Sequence, residues 1–511
     1  MYDLVVIGGG SGGLHAATAA ARVGARVALI DKPRPEGEAR CDPCVPSKAL
    51  VHAARLVKQI QTAGEFGIQT GSPQVDFPAV LARVRSLMQA AGASRSDEAL
   101  RARGIDVYLG TASFDAYDTV LLDGSTRIEG QRFLIATGSR PGKPSIPGLA
   151  EAGYLDAGTL WSLQAVPASL LVIGAGPVGM EFAQVFARFG SKVTVLTADE
   201  NILPREDPEI SGHVACMLTG EGITSKRRAT IEKVEVRDGQ KVCHYRDGDS
   251  GEHTEVTVSE VLCTDGRLAN VEGMNLEAVN IHADPEHGIE VDDLLQTHAV
   301  RVFALGDVLL RNQFTNAAER EAEVAFQNAV LRRRKKMDYS NLPWATFLDP
   351  EVATVGISEA QAKAENVDVR CFRVSYADVD RARIDGRTGG FAKVVTSPSG
   401  KILGATILGA EASLVLQQLV LAAHAGLGLG DLAGASQIYP SYARIIGDLA
   451  DQFRATRLDK GFLASALKLF YGFQPRTGSV AGAGEQNGGS SNGAPAEPSA
   501  HEHVPAAEHG H

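Results

Sequence analysis

The sequence predicts an α/β fold: two Rossmann-like dinucleotide-binding units followed by a C-terminal α+β domain. Three observations carry this. Val5-Val6-Ile7-Gly8-Gly9-Gly10-Ser11-Gly12-Gly13 and Leu171-Val172-Ile173-Gly174-Ala175-Gly176-Pro177-Val178-Gly179 each run from an apolar strand into a G-x-G-x-x-G turn. The two stretches are copies of one βαβ unit, because they align without gaps. Gly8, Gly10 and Gly13 match Gly174, Gly176 and Gly179, and Val27 to Ile30 matches Val193 to Leu196. From about residue 345 the texture changes to alternating strands, Gly390 to Val395 and Lys401 to Gly409, and then an apolar helix, Ser413 to Gly426.

In the first unit the glycines let backbone N–H groups approach a pyrophosphate at a helix N-terminus. Asp31 closes the second strand, where a carboxylate accepts from ribose hydroxyls. Ten residues on stands Cys41-Asp42-Pro43-Cys44. A C-x-x-C at a helix start can close a small, easily reduced ring, and a helix N-terminus lowers a thiol pKa. Pro43 suits an opening turn because its missing N–H has no partner there. Two readings stand: a redox pair, or a working Cys44 beside an idle Cys41. In the second unit the ribose position is Thr197, followed by Asp199 and Glu200 with no adjacent cation, which leans toward NADH over NADPH. The first unit is placed at 1–150 and the second at 151–265. A third stretch from 266 holds the apolar strand Val300 to Leu305 and then Gly306-Asp307.

Bulk properties narrow the class. The chain has 511 residues and a formal charge of -11, which argues against a nucleic-acid binder. The basic run Arg332 to Lys336 reads as a solvated loop. No apolar stretch is long enough to span a membrane, and Met1 leads straight into a strand without a signal peptide. Six scattered cysteines fit a reducing cytoplasm rather than a secreted disulfide framework. Cys216, Cys243, Cys263 and Cys371 read as buried structural thiols. His15, His52 and His213 lack partners at metal spacing, so no metal site is assigned. Residues 475–511 read as a disordered tail with His501, His503, His509 and His511, either a flexible end or a metal-binding one. Before it, Phe462 to Tyr471 is amphipathic and reads as a packed helix or a membrane-surface one.

Together these residues resemble the pyridine nucleotide-disulfide oxidoreductases, the family of dihydrolipoamide dehydrogenase, glutathione reductase and mercuric reductase. Besides the cradles, the likeness rests on Cys44-Val45-Pro46-Ser47-Lys48, Ala136-Thr137-Gly138-Ser139-Arg140-Pro141, Gly266-Arg267, Ala304-Leu305-Gly306-Asp307 and Asp349 to Gly356. It covers about residues 1–460. It implies FAD on 1–150 with 266–344, NADH or NADPH on 151–265, and a dimerisation domain at 345–474, hence a homodimer. Asp307 would meet the flavin ribitol, and Lys48 and Glu181 match the pair beside the flavin ring. Cys44 would be the thiolate against the flavin and Cys41 the more exposed thiol that attacks substrate. Asp380-Arg381-Ala382 with Asp385-Gly386 is most similar to the mercuric-reductase-like branch.

Two departures shape the functional reading. The family has C-x4-C, but Ala39 occupies the first cysteine position and Cys41 stands closer. The family's His-Pro-Thr-x-x-Glu is here Tyr439-Pro440-Ser441-Tyr442-Ala443-Arg444. A phenol is a poor base near neutrality, which puts dihydrolipoamide oxidation in doubt. Mercuric reductase's C-terminal Cys-Cys pair is also missing. The expected activity carries electrons from NAD(P)H through flavin and Cys41/Cys44 to a small-molecule or protein disulfide, a thiol or a metal ion. The alternatives are a flavin NAD(P)H oxidase or quinone reductase without thiol turnover, and a non-enzymatic binding partner.

Overall fold

The computed structural model describes residues 1–34 and 39–459. By internal contacts the chain divides into a unit spanning Met1–Ala455 and a second beginning at Thr456; both βαβ units and the C-terminal sheet belong to the first. The expected tail, its histidines and the 462–471 stretch lie outside the described residues.

Strand β1 (Leu4–Ile7), helix α1 (Ser11–Arg22) and strand β2 (Val27–Asp31) form the first βαβ unit. β1 and β2 lie in a five-stranded parallel sheet with Ile105–Leu109, Phe133–Ile135 and Val302–Ala304. The strand near residue 300 thus pairs with Phe133–Ile135 across a long sequence gap, bringing Gly306-Asp307 to the sheet end that carries the Gly8 turn. Both faces of a parallel sheet are covered, so its strands are apolar throughout, as in Leu-Val-Val-Ile of β1.

The second unit repeats this with strand Ser169–Ile173, helix Pro177–Arg188 and strand Lys192–Leu196. Its sheet is four-stranded and parallel, with Thr224–Lys226 and Glu260–Cys263 on the outside. From residue 343 a five-stranded antiparallel sheet follows, backed by helix Ala412–His424. The basic run at 332–336 is an irregular loop with its arginines exposed.

Helix α2 (Cys44–Thr62) ties the units together. Its apolar face, Leu50, Val51, Ala54 and Val57, packs in one cluster with Phe182 and Phe186 of the second-unit helix and with Phe77 and Leu81 of α3 (Phe77–Gly92). That packing fixes where the first turn of α2, and so Cys44 and Lys48, must lie.

Candidate active site

The two cradles share one geometry. Gly8 sits at φ 110° and Gly174 at φ 107°, a region side chains rarely adopt. A Cβ on Gly13 would strike the carbonyl oxygen of Gly8, and one on Gly179 that of Gly174. The glycines therefore let each helix begin directly under its strand. A Cβ on Gly10 or Gly176 would meet no atom, and neither helix has a side-chain cap among the described residues. Two open, uncapped helix N-termini suit two pyrophosphates. Asp31 reaches back so that Oδ1 accepts the Gly9 N–H at 3.1 Å, while Oδ2 holds the buried Arg40 at 3.1 Å and Arg34 at 3.2 Å.

Ala136, Thr137 and Gly138 line the far side of the first turn. Ala136 N donates to Ile7, and Thr137 Oγ1 donates to the Asn270 carbonyl at 2.7 Å. Asp307 follows Gly306, whose φ is 76°. Its carboxylate accepts from Ser139 Oγ at 2.9 Å and lies 3.5 Å from Arg267, which itself donates to Ser139 at 2.8 Å. Gly266, at φ 75°, sets the turn that delivers Arg267. In the second cradle Thr197 is buried and donates to Asp199 at 3.1 Å. Of the three cations in the segment paired with it, Lys226 is engaged by Asp247 and Arg228 by Asp249, while Arg227 meets Asn201 at 3.4 Å.

Between the cradles lies the thiol loop. Pro43, at φ −60°, leads into α2. Asp42 Oδ1 accepts the Cys44 N–H at 2.9 Å, satisfying one of the orphan donors of the helix start. Asp42 Oδ2 accepts Ser11 Oγ at 2.6 Å and Thr315 Oγ1 at 2.9 Å. Thr315 Oγ1 in turn lies 3.7 Å from Cys44 Sγ. Burial works against the Asp42 anion, but the Ser11, Cys44 and Thr315 donors outweigh it and hold the carboxyl below its ordinary range. Burial pushes the Cys44 thiol up, against the pull of Lys48, and likewise raises Cys41. Both thiols are free.

Cys44 opens toward the space beside Lys48, and Cys41 is half-buried. Next to Cys41, the Arg40 guanidinium donates to the Arg95 carbonyl at 2.7 Å and to Asp97 at 2.8 Å, tying this segment to the chain just after α3. Lys48 Nζ donates to Glu181 Oε2 at 2.8 Å, and Glu181 Oε1 accepts the Phe347 N–H at 2.8 Å. The Lys48 side chain is 30% exposed and that of Glu181 3%. Tyr439 stands apart from the thiol loop within the chain; it is exposed and donates to Asp380 at 2.7 Å.

Other thiols split. Cys243 and Cys263 are buried, as expected, but Cys216 and Cys371 are exposed. Cys216 lies on the outer face of helix Pro208–Gly220, and Cys371 points outward from the edge strand Arg370–Ser375. His15 lies 3.9 Å from Glu323, and His213 meets the Phe391 ring edge-to-face. No cluster suited to a metal ion occurs among the described residues, and no helix there is long and apolar enough to cross a membrane. Sequence reasoning missed the partners Ser11 and Thr315 and the roles of Asp42 and Arg40. A charged residue between two cysteines was the one local signal.

This geometry has known counterparts. The profile described as pyridine nucleotide-disulphide oxidoreductase matches residues 2–323, and that of its dimerisation domain matches 342–450. A mercuric reductase of Streptomyces lividans is 34% identical over 458 residues, covering 88% of this chain and 96% of the relative. A dihydrolipoyl dehydrogenase of Chlamydia muridarum is 30% identical over 458 residues with the same coverage of 88% and 96%. Among solved structures, the HOCl-induced flavoprotein disulfide reductase RclA of Escherichia coli matches with TM-score 0.77 at 27% identity, covering 88% of this chain and 99% of that one.

Proposed function

We propose that this chain, which belongs to the pyridine nucleotide-disulphide oxidoreductase family, uses Cys41 and Cys44 as its redox dithiol. It is an FAD- and pyridine nucleotide-dependent disulfide oxidoreductase. The first cradle, with Asp31, Ala136, Thr137, Gly138, Arg267 and Asp307, would hold FAD; the second, with Thr197, would hold the nicotinamide dinucleotide. Bound FAD supplies two-electron exchange between a nicotinamide and a disulfide.

The remaining work falls to side chains. Glu181 fixes the Lys48 ammonium one helical turn from Cys44. Ser139 and Arg267 orient the Asp307 carboxylate. Opening a Cys41–Cys44 disulfide takes up two electrons and two protons and leaves two thiols. Those thiols then give the same electrons and protons to an acceptor disulfide, or reduce a thiol-binding metal ion and release the protons. NADH is the favoured donor, because Thr197 is followed by Asp199 and Glu200 and two of the three neighbouring cations, Lys226 and Arg228, are held by carboxylates. Tyr439 and Arg444 in place of the family's His and Glu disfavour a dihydrolipoyl substrate.

The observation that carries this reading is the C-D-P-C loop at the start of α2, one turn before Lys48–Glu181. Anaerobic titration of the FAD-loaded protein with NADH tests it. Uptake of two electrons with a long-wavelength thiolate–flavin absorption is expected. A Cys41→Ser variant with undiminished turnover on both an aryl disulfide and mercuric ion would overturn the dithiol.

A further inference from the structure

The two cradles differ in charge at one equivalent position. Sheet register fixes the equivalence: Ile7 pairs with Ile135 beside the first turn, and Ile173 pairs with Cys263 beside the second. Two residues further on, Thr137 matches Asp265, and each is followed by a glycine at positive φ, Gly138 at 70° and Gly266 at 75°. Both segments then enter one antiparallel pair, Ser139–Pro141 with Arg267–Ala269. In the first cradle the side chain turns away, since Thr137 Oγ1 donates to the Asn270 carbonyl at 2.7 Å. A Cβ on Gly8 would strike the backbone of Ala136 and Thr137. A Cβ on Gly174 would strike the Asp265 carboxylate instead, so this side chain leans against the turn itself. Its neighbour Thr264 is engaged, donating to the Ile173 carbonyl at 3.1 Å. Asp265 is exposed and has no hydrogen-bond or ion-pair partner among the described residues.

Partial burial against the turn, and then the like charge of Asp199, raise the Asp265 carboxyl, and no cation among the described residues acts against them. A carboxylate accepts and cannot donate, so the partner that suits it brings O–H or N–H groups. A pyrophosphate brings none and is repelled. Between the pyrophosphate and either base of a dinucleotide, the donors are ribose hydroxyls. Strand order selects which ribose. The strand Lys192–Leu196, leading to Thr197, lies on one side of Ser169–Ile173, and Glu260–Cys263, leading to Asp265, lies on the other. The adenosine ribose belongs at the first of these strand ends. A dinucleotide that crosses the Gly174 turn therefore brings its nicotinamide ribose to the second.

We propose that Asp265 binds the nicotinamide ribose of the dinucleotide, its carboxylate accepting from the 2′- and 3′-hydroxyls. The inference rests on the reading that the second cradle holds the nicotinamide dinucleotide. The first cradle offers its ribose carboxylate, Asp31, at the end of β2; the second offers one at the opposite strand end, where the first has the neutral Thr137. The bond to a ribose hydroxyl is charge-assisted and made at contact, whereas the pyrophosphate charge acts across an open crevice and is screened. The net effect of Asp265 is attraction. NADH and NADPH carry the same nicotinamide ribose, so Asp265 acts on both alike and leaves the choice between them to the Thr197 end.

The test uses the FAD-loaded protein, unchanged and as Asp265→Ala, Asp265→Asn and Gly179→Ala. The NADH concentration for half-maximal flavin bleaching is measured by anaerobic stopped flow, together with inhibition by ADP-ribose, which keeps the second ribose, and by ADP, which ends at the pyrophosphate. Asp265→Ala should raise the half-saturating NADH and the ADP-ribose inhibition constant about tenfold each, and Asp265→Asn, which keeps one acceptor oxygen, by less. ADP should bind both variants no more weakly than it binds the unchanged protein. Equal weakening of ADP-ribose and ADP overturns the inference, because the carboxylate then only braces the turn. Tighter binding of all three ligands overturns it too, because the carboxylate then only repels phosphate. Should Asp265→Ala lose its FAD, Asp265→Asn decides by the same comparison. Gly179→Ala separates this inference from the reading beneath it. If Gly179→Ala raises the half-saturating NADH and the Asp265 variants do not, the role of Asp265 falls alone. If none of the three variants changes it, the dinucleotide does not sit on the second cradle and both fall.

Discussion

Glu181 and Lys48 form an unequal pair, and the inequality has a measurable consequence. Both oxygens of Glu181 are committed, one to Lys48 and one to the Phe347 N–H, and its side chain is 3% exposed. Lys48 is 30% exposed and also lies 4.9 Å from the Phe347 ring centroid, so it keeps water and a π-face without its partner. Removing the lysine strands a buried anion, at a cost of about 3 kcal/mol. Removing the carboxylate leaves a cation that can still hydrate, and a glutamine there can still accept from Phe347, at about 1 kcal/mol. Lys48→Met is therefore expected to lower the thermal midpoint well below that of Glu181→Gln, measured at equal FAD loading. Equal losses would mean that the pair is solvated and that α2 is held by its apolar face alone. The pair was legible from sequence because two ionisable residues at family positions support each other. Asp42 was not, since its meaning depends on Ser11 and Thr315, 31 and 273 positions away.

At the scale of elements, the cradles make separable tests. A Cβ on Gly13 collides with the Gly8 carbonyl, and one on Gly179 collides with that of Gly174. Each clash pushes one helix off one strand without touching the other cradle. Gly13→Ala should weaken FAD retention about tenfold or more, while Gly179→Ala should keep FAD and raise the KM for NADH by a similar factor. Flavin content and NADH-dependent bleaching separate the two, and loss of FAD in Gly179→Ala would contradict the division of labour. A second test concerns the helix Thr315–Ala329. Glu321 on it is buried and accepts from the Gly306 N–H and the Tyr339 hydroxyl, bracing the turn that presents Asp307. Burial raises its pKa to about 7, against those two donors. The folded protein thus holds this proton up to about pH 7 while the unfolded chain releases it near 4.5, so stability falls as pH rises through that window. The loss amounts to about 3 kcal/mol, and Glu321→Gln should flatten the thermal midpoint between those limits. A wild-type midpoint already flat there would show that the two donors carry the anion unaided. Nothing local distinguishes Glu321 from Glu319 and Glu323 on the same helix; only the fold decides which one faces inward. The same ambiguity of helix and strand face misassigned Cys216 and Cys371. The glycines of the cradles were readable because their constraint is local: a turn, and a contact within five residues.

For the whole molecule, the dimerisation domain supports a homodimer, and the surface of the chain agrees. Leu414 and Leu421 are 69% and 68% exposed, two helical turns apart on one face of Ala412–His424, while Val415, Leu416, Leu419 and Ala422 fill the opposite face against the sheet. Ile438, at 82%, is more exposed still. Large apolar side chains left in water on an otherwise amphipathic helix are what a second copy would cover. Replacing Leu414 and Leu421 together by Arg should convert a particle of twice 53.9 kDa into one of 53.9 kDa by light scattering. The catalytic consequence follows from where the working groups originate. Within one chain Lys48 bonds Glu181, Asp307 bonds Ser139 and Asp42 bonds Thr315, close to both cradles and the two thiols. Tyr439 is the exception, exposed and bonded to Asp380 rather than to the thiol loop. The monomeric variant should therefore keep its FAD and still bleach with NADH, producing the long-wavelength band at near wild-type amplitude. If it keeps FAD but loses the band, some group that governs the thiols must be reaching across from the second copy.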